Sequence, residues 1–123
     1  MSVRRFMVAL AVVAAVVGAG ASSVIASQSQ TQTTTVKVKA GVGGALKFGL
    51  STKTAPAGTV KFVVTNVSSL PHDFSIAGKK TPLLSGKGKS ATLTVKLKKG
   101  KYPYKCTVAG HAAAGMKGTF TVK

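Results

Sequence analysis

Apolar and polar residues take turns along most of the chain after residue 35. In "TVKVKA", Val36, Val38 and Ala40 alternate with Lys37 and Lys39. "GTVKFVVTN" puts Val60, Phe62 and Val64 on one face, with Thr59, Lys61 and Thr65 on the other. "SATLTVKLKKG" sets Ala91, Leu93, Val95 and Leu97 against Thr92, Thr94, Lys96 and Lys98, and "GTFTVK" repeats the pattern with Phe120 and Val122. Alternation of period two, punctuated by Gly, Pro and Asn, predicts half-buried antiparallel strands. No stretch after residue 30 carries a helical stripe. Six to eight short strands in this space predict an all-β sandwich or small barrel.

The first 35 residues follow another pattern. "MSVRRFMVALAVVAAVVGAGASSVIAS" has Arg4 and Arg5, then an apolar run from Phe6 to Val17, then small residues. That layout predicts an export signal over residues 1–26, cut after Ala21 or Ala26. Phe6 to Ile25 also holds no charge, so the competing expectation is an uncleaved membrane anchor. Either way the remainder lies outside the cytoplasm: periplasmic, at the cell surface or secreted. "SQSQTQTTT", residues 27–35, has nothing apolar to bury and reads as a tether. The folded domain is then residues 36–123.

Composition changes the picture in two ways. The 123-residue chain carries 18 Lys and Arg against one acidic residue, a formal charge of +17. This implies attraction to anionic surfaces and no specific nucleic-acid partner; most of the lysines fall on the outward parity, where a solvated face accounts for them. The second point is cysteine. A small exported domain often leans on disulfides, yet Cys106 is the only cysteine and cannot form one within the chain.

"PHDFSIAG" puts His72 on the parity of Phe74 and Ile76, and "KYPYKC" puts Cys106 on that of Tyr102 and Tyr104. Both polar groups therefore face the core, which is costly without partners. His111 and Met116 follow in "TVAGHAAAGMKG", where Gly110 and Gly115 mark a loop that returns towards the cysteine. Outside the export segment, which holds Met1 and Met7, the chain contains two His, one Cys and one Met. All four enter this scheme. Two imidazoles, a thiolate and a thioether are the donor set of a trigonal copper site with a weak axial Met. Zinc fits it less well, because structural zinc sites favour several thiolates.

"PHDF" and "YPYKCTVAGHAAAGMKGTFTV" resemble the small blue-copper proteins, the cupredoxins related to plastocyanin, azurin and sulfocyanin. The resemblance extends over "AGTVKFVVTNVSSLPHDFSI" and "GKSATLTVKLKKGKYPYKC", and so over residues 36–123. It implies a Greek-key sandwich binding one type 1 copper per chain, with His72, Cys106 and His111 as strong ligands and Met116 as the axial one. Cupredoxins often carry Asn directly after the first His; this chain has Asp73, its only acid. Asp73 is expected to accept a backbone N–H near Cys106 and, as an anion, to lower the reduction potential. The spacing from Cys106 to His111 is longer than plastocyanin's.

With protein filling the coordination shell and no histidine left for a second copper, the expected role is one-electron transfer, not catalysis. Copper capture or delivery by the same four residues is the alternative. Ala112, Ala113 and Ala114 would leave the His111 edge on a flat apolar patch, where a redox partner with an acidic surface docks weakly on a monomer. Membrane association, if any, runs through the N-terminal segment. Tyr102 and Tyr104 read as core residues, not redox relays. "NVS" at Asn66 spells a glycosylation sequon but reads as a strand-end Asn, and "GKGKS" lacks the upstream Gly of a phosphate loop, Leu83 standing there.

Overall fold

The computed structural model describes residues 32–123. The export or anchor segment expected at residues 1–26, and the first part of the tether at 27–35, lie outside the described residues. Among the described residues no helix is long and apolar enough to cross a membrane.

Among the described residues nine strands form two sheets: β1 (Thr33–Ala40), β2 (Phe48–Leu50), β3 (Thr54–Ala55), β4 (Gly58–Asn66), β5 (Ser75–Ile76), β6 (Lys79–Lys80), β7 (Ser90–Leu97), β8 (Gly100–Lys105) and β9 (Lys117–Val122). The only helical piece among the described residues is a single 3-10 turn at Val42–Gly44. One sheet runs in the order β2-β1-β4-β7 and the other β3-β9-β8-β5-β6. The inner faces meet in one core containing Val36, Val38, Val60, Phe62, Val64, Phe74, Ile76, Tyr104 and Phe120, all on the predicted inward parity. Phe62 touches both Phe74 and Phe120 in tilted and edge-on contact, and Phe48 meets Phe74 and Tyr104 edge-on. Each such fully buried side chain contributes about 1.5–3 kcal/mol. The sandwich therefore needs no disulfide, and Cys106 is free and buried.

Two features depart from the sequence reading. β1 pairs with β4 in parallel over eight positions, from Thr33↔Thr59 to Ala40↔Asn66, and β3 pairs with β9 in parallel. Alternation reports which face is buried but not strand direction. Here β2 and β3 carry the chain from one sheet to the edge of the other, so it re-enters as β4 heading the same way as β1. Second, β1 begins at Thr33, inside the stretch read as tether. Thr33, Thr34 and Thr35 are held by backbone pairing with Thr59, Val60 and Lys61, which requires no apolar side chain.

Strand direction places the site. β1, β4 and β8 run the same way along the sandwich and end at Ala40, Asn66 and Lys105. Their outgoing connections therefore gather at one end. Cys106 follows β8 directly, and β9 returns from Lys117, paired with Lys105.

Candidate metal centre

Four connections meet at that end. Cys106, the first residue past β8, extends the pairing of β8 with β9: its N–H donates to the Met116 carbonyl at 3.1 Å, closing the loop from 106 to 116. Inside the loop a run of turns (His111 N–H to the Val108 carbonyl, 3.0 Å; Met116 N–H to the His111 carbonyl, 3.0 Å) turns the chain back on itself. The loop brings Met116, which is fully buried, against Cys106 and Ala40. His72 arrives from another connection and is tied to Leu84 by two backbone hydrogen bonds of 3.2 and 2.8 Å.

His72, Cys106 and His111 are the single metal-competent group of their kind among the described residues. His72 Nδ1 lies 3.2 Å from His111 Nδ1 and 4.0 Å from Cys106 Sγ, and His111 Nδ1 lies 3.6 Å from the same sulfur. The point equidistant from those three atoms is about 2.1 Å from each, the bond length a first-row metal makes to imidazole nitrogen. Three protein donors thus surround a place of the right size for one ion, with a buried thioether-bearing residue packed against the thiol. Soft sulfur with two imidazoles suits copper.

Burial sets the protonation of the apo site. Desolvation pushes the His72 pKa down, helped by the neighbouring His111 and opposed by Asp73, so the ring favours its neutral, metal-binding form. Desolvation pushes the Cys106 thiol up, opposed by the backbone N–H groups of Asp73 and Val108. An ion entering the site must therefore displace that proton.

The supporting shell holds what the sequence reading found and more. Asp73 is buried and accepts from the Thr107 N–H at 2.6 Å and from the Thr107 hydroxyl, tying the His72 segment to the residue after Cys106. Its own N–H points at Cys106 Sγ, 3.5 Å away. Alternation would have turned Asp73 outward, but His72, Asp73 and Phe74 are all buried because this segment is not a strand.

Three participants carried no sequence signal of their role. Ser68 Oγ lies 2.9 Å from His72 Nε2. When the neutral ring binds metal through Nδ1, Nε2 carries the hydrogen and donates it to that oxygen, which fixes the ring's tautomer and angle. Asn66, wholly buried, anchors Ser68: Oδ1 accepts from the Ser68 N–H at 2.9 Å, and Nδ2 donates to the Leu70 and Leu84 carbonyls at 2.7 and 2.8 Å. Gly41, with φ of +83°, passes so close to this pair that a Cβ there would fall 2.9 Å from His72 Nε2 and closer still to Ser68. Tyr104 is core, as expected. Tyr102 is half-buried, its hydroxyl donating to the Lys98 carbonyl at 2.7 Å.

The exposed rim differs from the rest of the surface. His111 is half-buried among Ala109, Gly110, Ala113 and Ala114, all exposed, and Leu70 is 46% exposed. None of residues 41–46, 67–71 or 107–115 carries a Lys, Arg, Asp or Glu.

Comparison with known proteins agrees with this geometry. No curated protein matches the sequence. Among solved structures, reduced auracyanin from the photosynthetic bacterium Roseiflexus castenholzii is 26% identical, covering 76% of this chain and 99% of its own, with a TM-score of 0.63. The copper protein rusticyanin is also 26% identical, over 76% of this chain and 80% of its own, at a TM-score of 0.59. Auracyanin A of Chloroflexus aurantiacus, a "blue" copper protein, shares the fold at 20% identity, with 75% and 100% coverage and a TM-score of 0.62. The cupredoxin-like domain family matches residues 7–122, nearly the whole sequence, and the site fits its single type 1 copper: this chain belongs to the cupredoxin-like family.

Proposed function

We propose that this protein is a one-electron carrier working outside the cytoplasm, whose copper would be held by His72 Nδ1, His111 Nδ1 and Cys106 Sγ and, more weakly, by Met116. The observation that carries this reading is the triangle of donor atoms, whose common centre lies at bonding distance from all three. Bound copper would supply a reversible Cu(II)/Cu(I) couple. The chain's part is to hold the donors still, so that little rearranges when an electron passes. His72 is fixed by Ser68 and Leu84, and Cys106 by the Met116 carbonyl and the Asp73 N–H.

Electrons enter and leave at His111, whose ring lies at the uncharged rim. A partner seated on those alanines and glycines comes close to the metal without crossing the sandwich. The surrounding lysines favour an acidic partner and a contact that weakens with salt. The protein acts as a monomer and is not an enzyme, since the four donors leave no position for a substrate. The N-terminal segment exports it and, where uncleaved, anchors it to a membrane.

Titration of the apo protein with Cu(II) should raise an intense visible thiolate-to-copper band saturating at one copper per chain, and Cys106→Ala should abolish it. A well-folded protein with no band would overturn the reading. The same preparation separates electron transfer from copper delivery: reversible voltammetry with slow copper loss supports the carrier, and rapid passage of Cu(I) to a chelating acceptor supports delivery.

A further inference from the structure

We propose that the outer face of the sheet holding β5, β8 and β9 carries a binding site for a small organic phosphate, its phosphate group set between the ammonium groups of Lys105 and Lys117 and its apolar body laid along Pro103. The site goes beyond electron transfer and requires no copper.

Lysine is spread over the whole surface, so abundance selects no face; strand register does. Among the described residues every strand lysine but two lies opposite uncharged neighbours. Lys39 faces Gly49 and Thr65, Lys61 faces Thr35 and Thr94, Lys96 faces Thr59, and Lys101 faces Thr121. Lys37, Lys79 and Lys80 likewise lie opposite Val63, Ile76 and Ser75. The exception is Lys105, which stands directly opposite Lys117. Opposite residues of an antiparallel ladder share a face with Cβ atoms about 4.5–5.5 Å apart, and like charges so placed are destabilising. Both lysines are exposed, while their neighbours Tyr104, Cys106 and Met116 are buried on the other side of the sheet. The row continues from Lys105 to Ser75 and from Ser75 to Lys80, which sets a third lysine roughly 10 Å further along the same face. The chain has no anion of its own to place between them, because its only acid, Asp73, is buried and bonded to Thr107.

The opposed pair also walls a hollow of about 690 Å³, the size of a small-molecule site. Ser75 and Thr119 bring hydroxyl groups to it, and Ile76, Ala77, Tyr102 and Pro103 supply carbon surface. It opens where β5 ends at Ile76 and leaves Tyr102 and Pro103 of β8 unpaired on that side. Pro103 has no N–H to offer a further strand, so the gap suits a ligand better than an added chain. At its lip the two-residue turn from Ile76 to Lys79 holds Ala77 at φ +52°, the only positive φ outside glycine among the described residues. Glycine or asparagine is usual at such a position. Alanine accepts the strain and keeps a methyl group on the wall. Two ammonium groups and two hydroxyls match the double charge and three acceptor oxygens of a phosphate monoester, whereas a carboxylate would neutralise only one lysine.

Calorimetric titration of the full chain without metal, at physiological salt, tests this with phenyl phosphate as the probe. Binding should saturate at one per chain and be about tenfold tighter than that of inorganic phosphate, which lacks the apolar body, or benzoate, which lacks the second charge. Lys105→Gln and Lys117→Gln should each weaken phenyl phosphate about tenfold, and Lys101→Gln on the same face should leave it unchanged. Pro103→Ser should weaken phenyl phosphate but not inorganic phosphate. In phosphate-free buffer Lys117→Gln should also raise the urea midpoint, because it removes the opposed charge, and Lys101→Gln should not. Several equivalents per chain, equal affinity for all three anions, or equal weakening by Lys101→Gln would mean diffuse attraction to a basic surface and would overturn the proposal. Failure of the carrier reading would appear in the visible band, and failure of this one in the titration.

Discussion

His72 has no exposed surface, its Nε2 is tied to Ser68, and its backbone is bonded on both sides to Leu84; His111 stands half-exposed on a loop of turns between alanines and glycines. The two rings offer the same atom to the same point and are 3.2 Å apart there. Their settings divide the labour. One ring is a fixed wall of the site, supported by a polar network that has no other visible use. The other is the site's solvent-facing edge. A centre built from two buried histidines would be insulated, and one built from two exposed histidines would reorganise with each electron.

The sharpest way to break this comparison is to remove each ring in turn. His111→Gly opens a gap to solvent, so added imidazole should enter and restore most of the thiolate-to-copper band. In His72→Gly the gap is enclosed, and the same titration should restore little or none. Equal rescue in both would mean that the two histidines are not differently placed.

Next in size is the support behind His72. Ser68→Ala leaves a buried ring N–H without an acceptor, a loss of about 1–3 kcal/mol measurable by urea denaturation of the apo protein. It should also broaden or shift the visible band, because the ring is freed to turn. Intact stability and an unchanged band would show that Ser68 only fills space.

A smaller effect is read from the pH dependence of stability. The His72 pKa is depressed on folding, so the unfolded chain takes up that proton first. The apo protein should keep this share of its stability above about pH 6.5, the ordinary histidine value, and lose it as pH falls through the lower folded value. Urea midpoints between pH 8 and pH 5 check this. His72→Gln should flatten the profile. The smallest change expected is in Asp73→Asn, which keeps an acceptor for Thr107 but removes the anion beside the thiol. It should raise the reduction potential without loss of the band, and an unchanged voltammogram would sink the electrostatic role.

Much of this molecule was legible in the chain because its strands alternate strictly. Val36, Val38, Val60, Phe62 and Val64 announced the inner face before any fold was known. The proposed metal donors stood out through scarcity: in a sequence with one cysteine and two histidines, their spacing with Met116 singled out one candidate site. What stayed hidden depends on contacts between distant segments. Ser68 and Asn66 look like ordinary loop polars until the chain folds them behind His72. Gly41 gives no hint that Ser68 will press against it. The parallel pairing of β1 with β4 leaves no trace in periodicity, and Asp73 broke the alternation because its segment is held by one bridge and not by a ladder.

The buried amide of Asn66 has a consequence for making the protein. Asn66-Val67-Ser68 has the spelling that glycosylating cells act on, and those cells attach the sugar while the chain is still unfolded. In the finished fold both Nδ2 hydrogens are spent on the Leu70 and Leu84 carbonyls, and the side chain has no exposed surface. A glycan at that nitrogen would have to be accommodated inside the wall that orients His72. Secretion from a eukaryotic host should therefore yield misfolded glycoprotein incapable of holding copper, whereas a bacterial host without that machinery should yield the native domain.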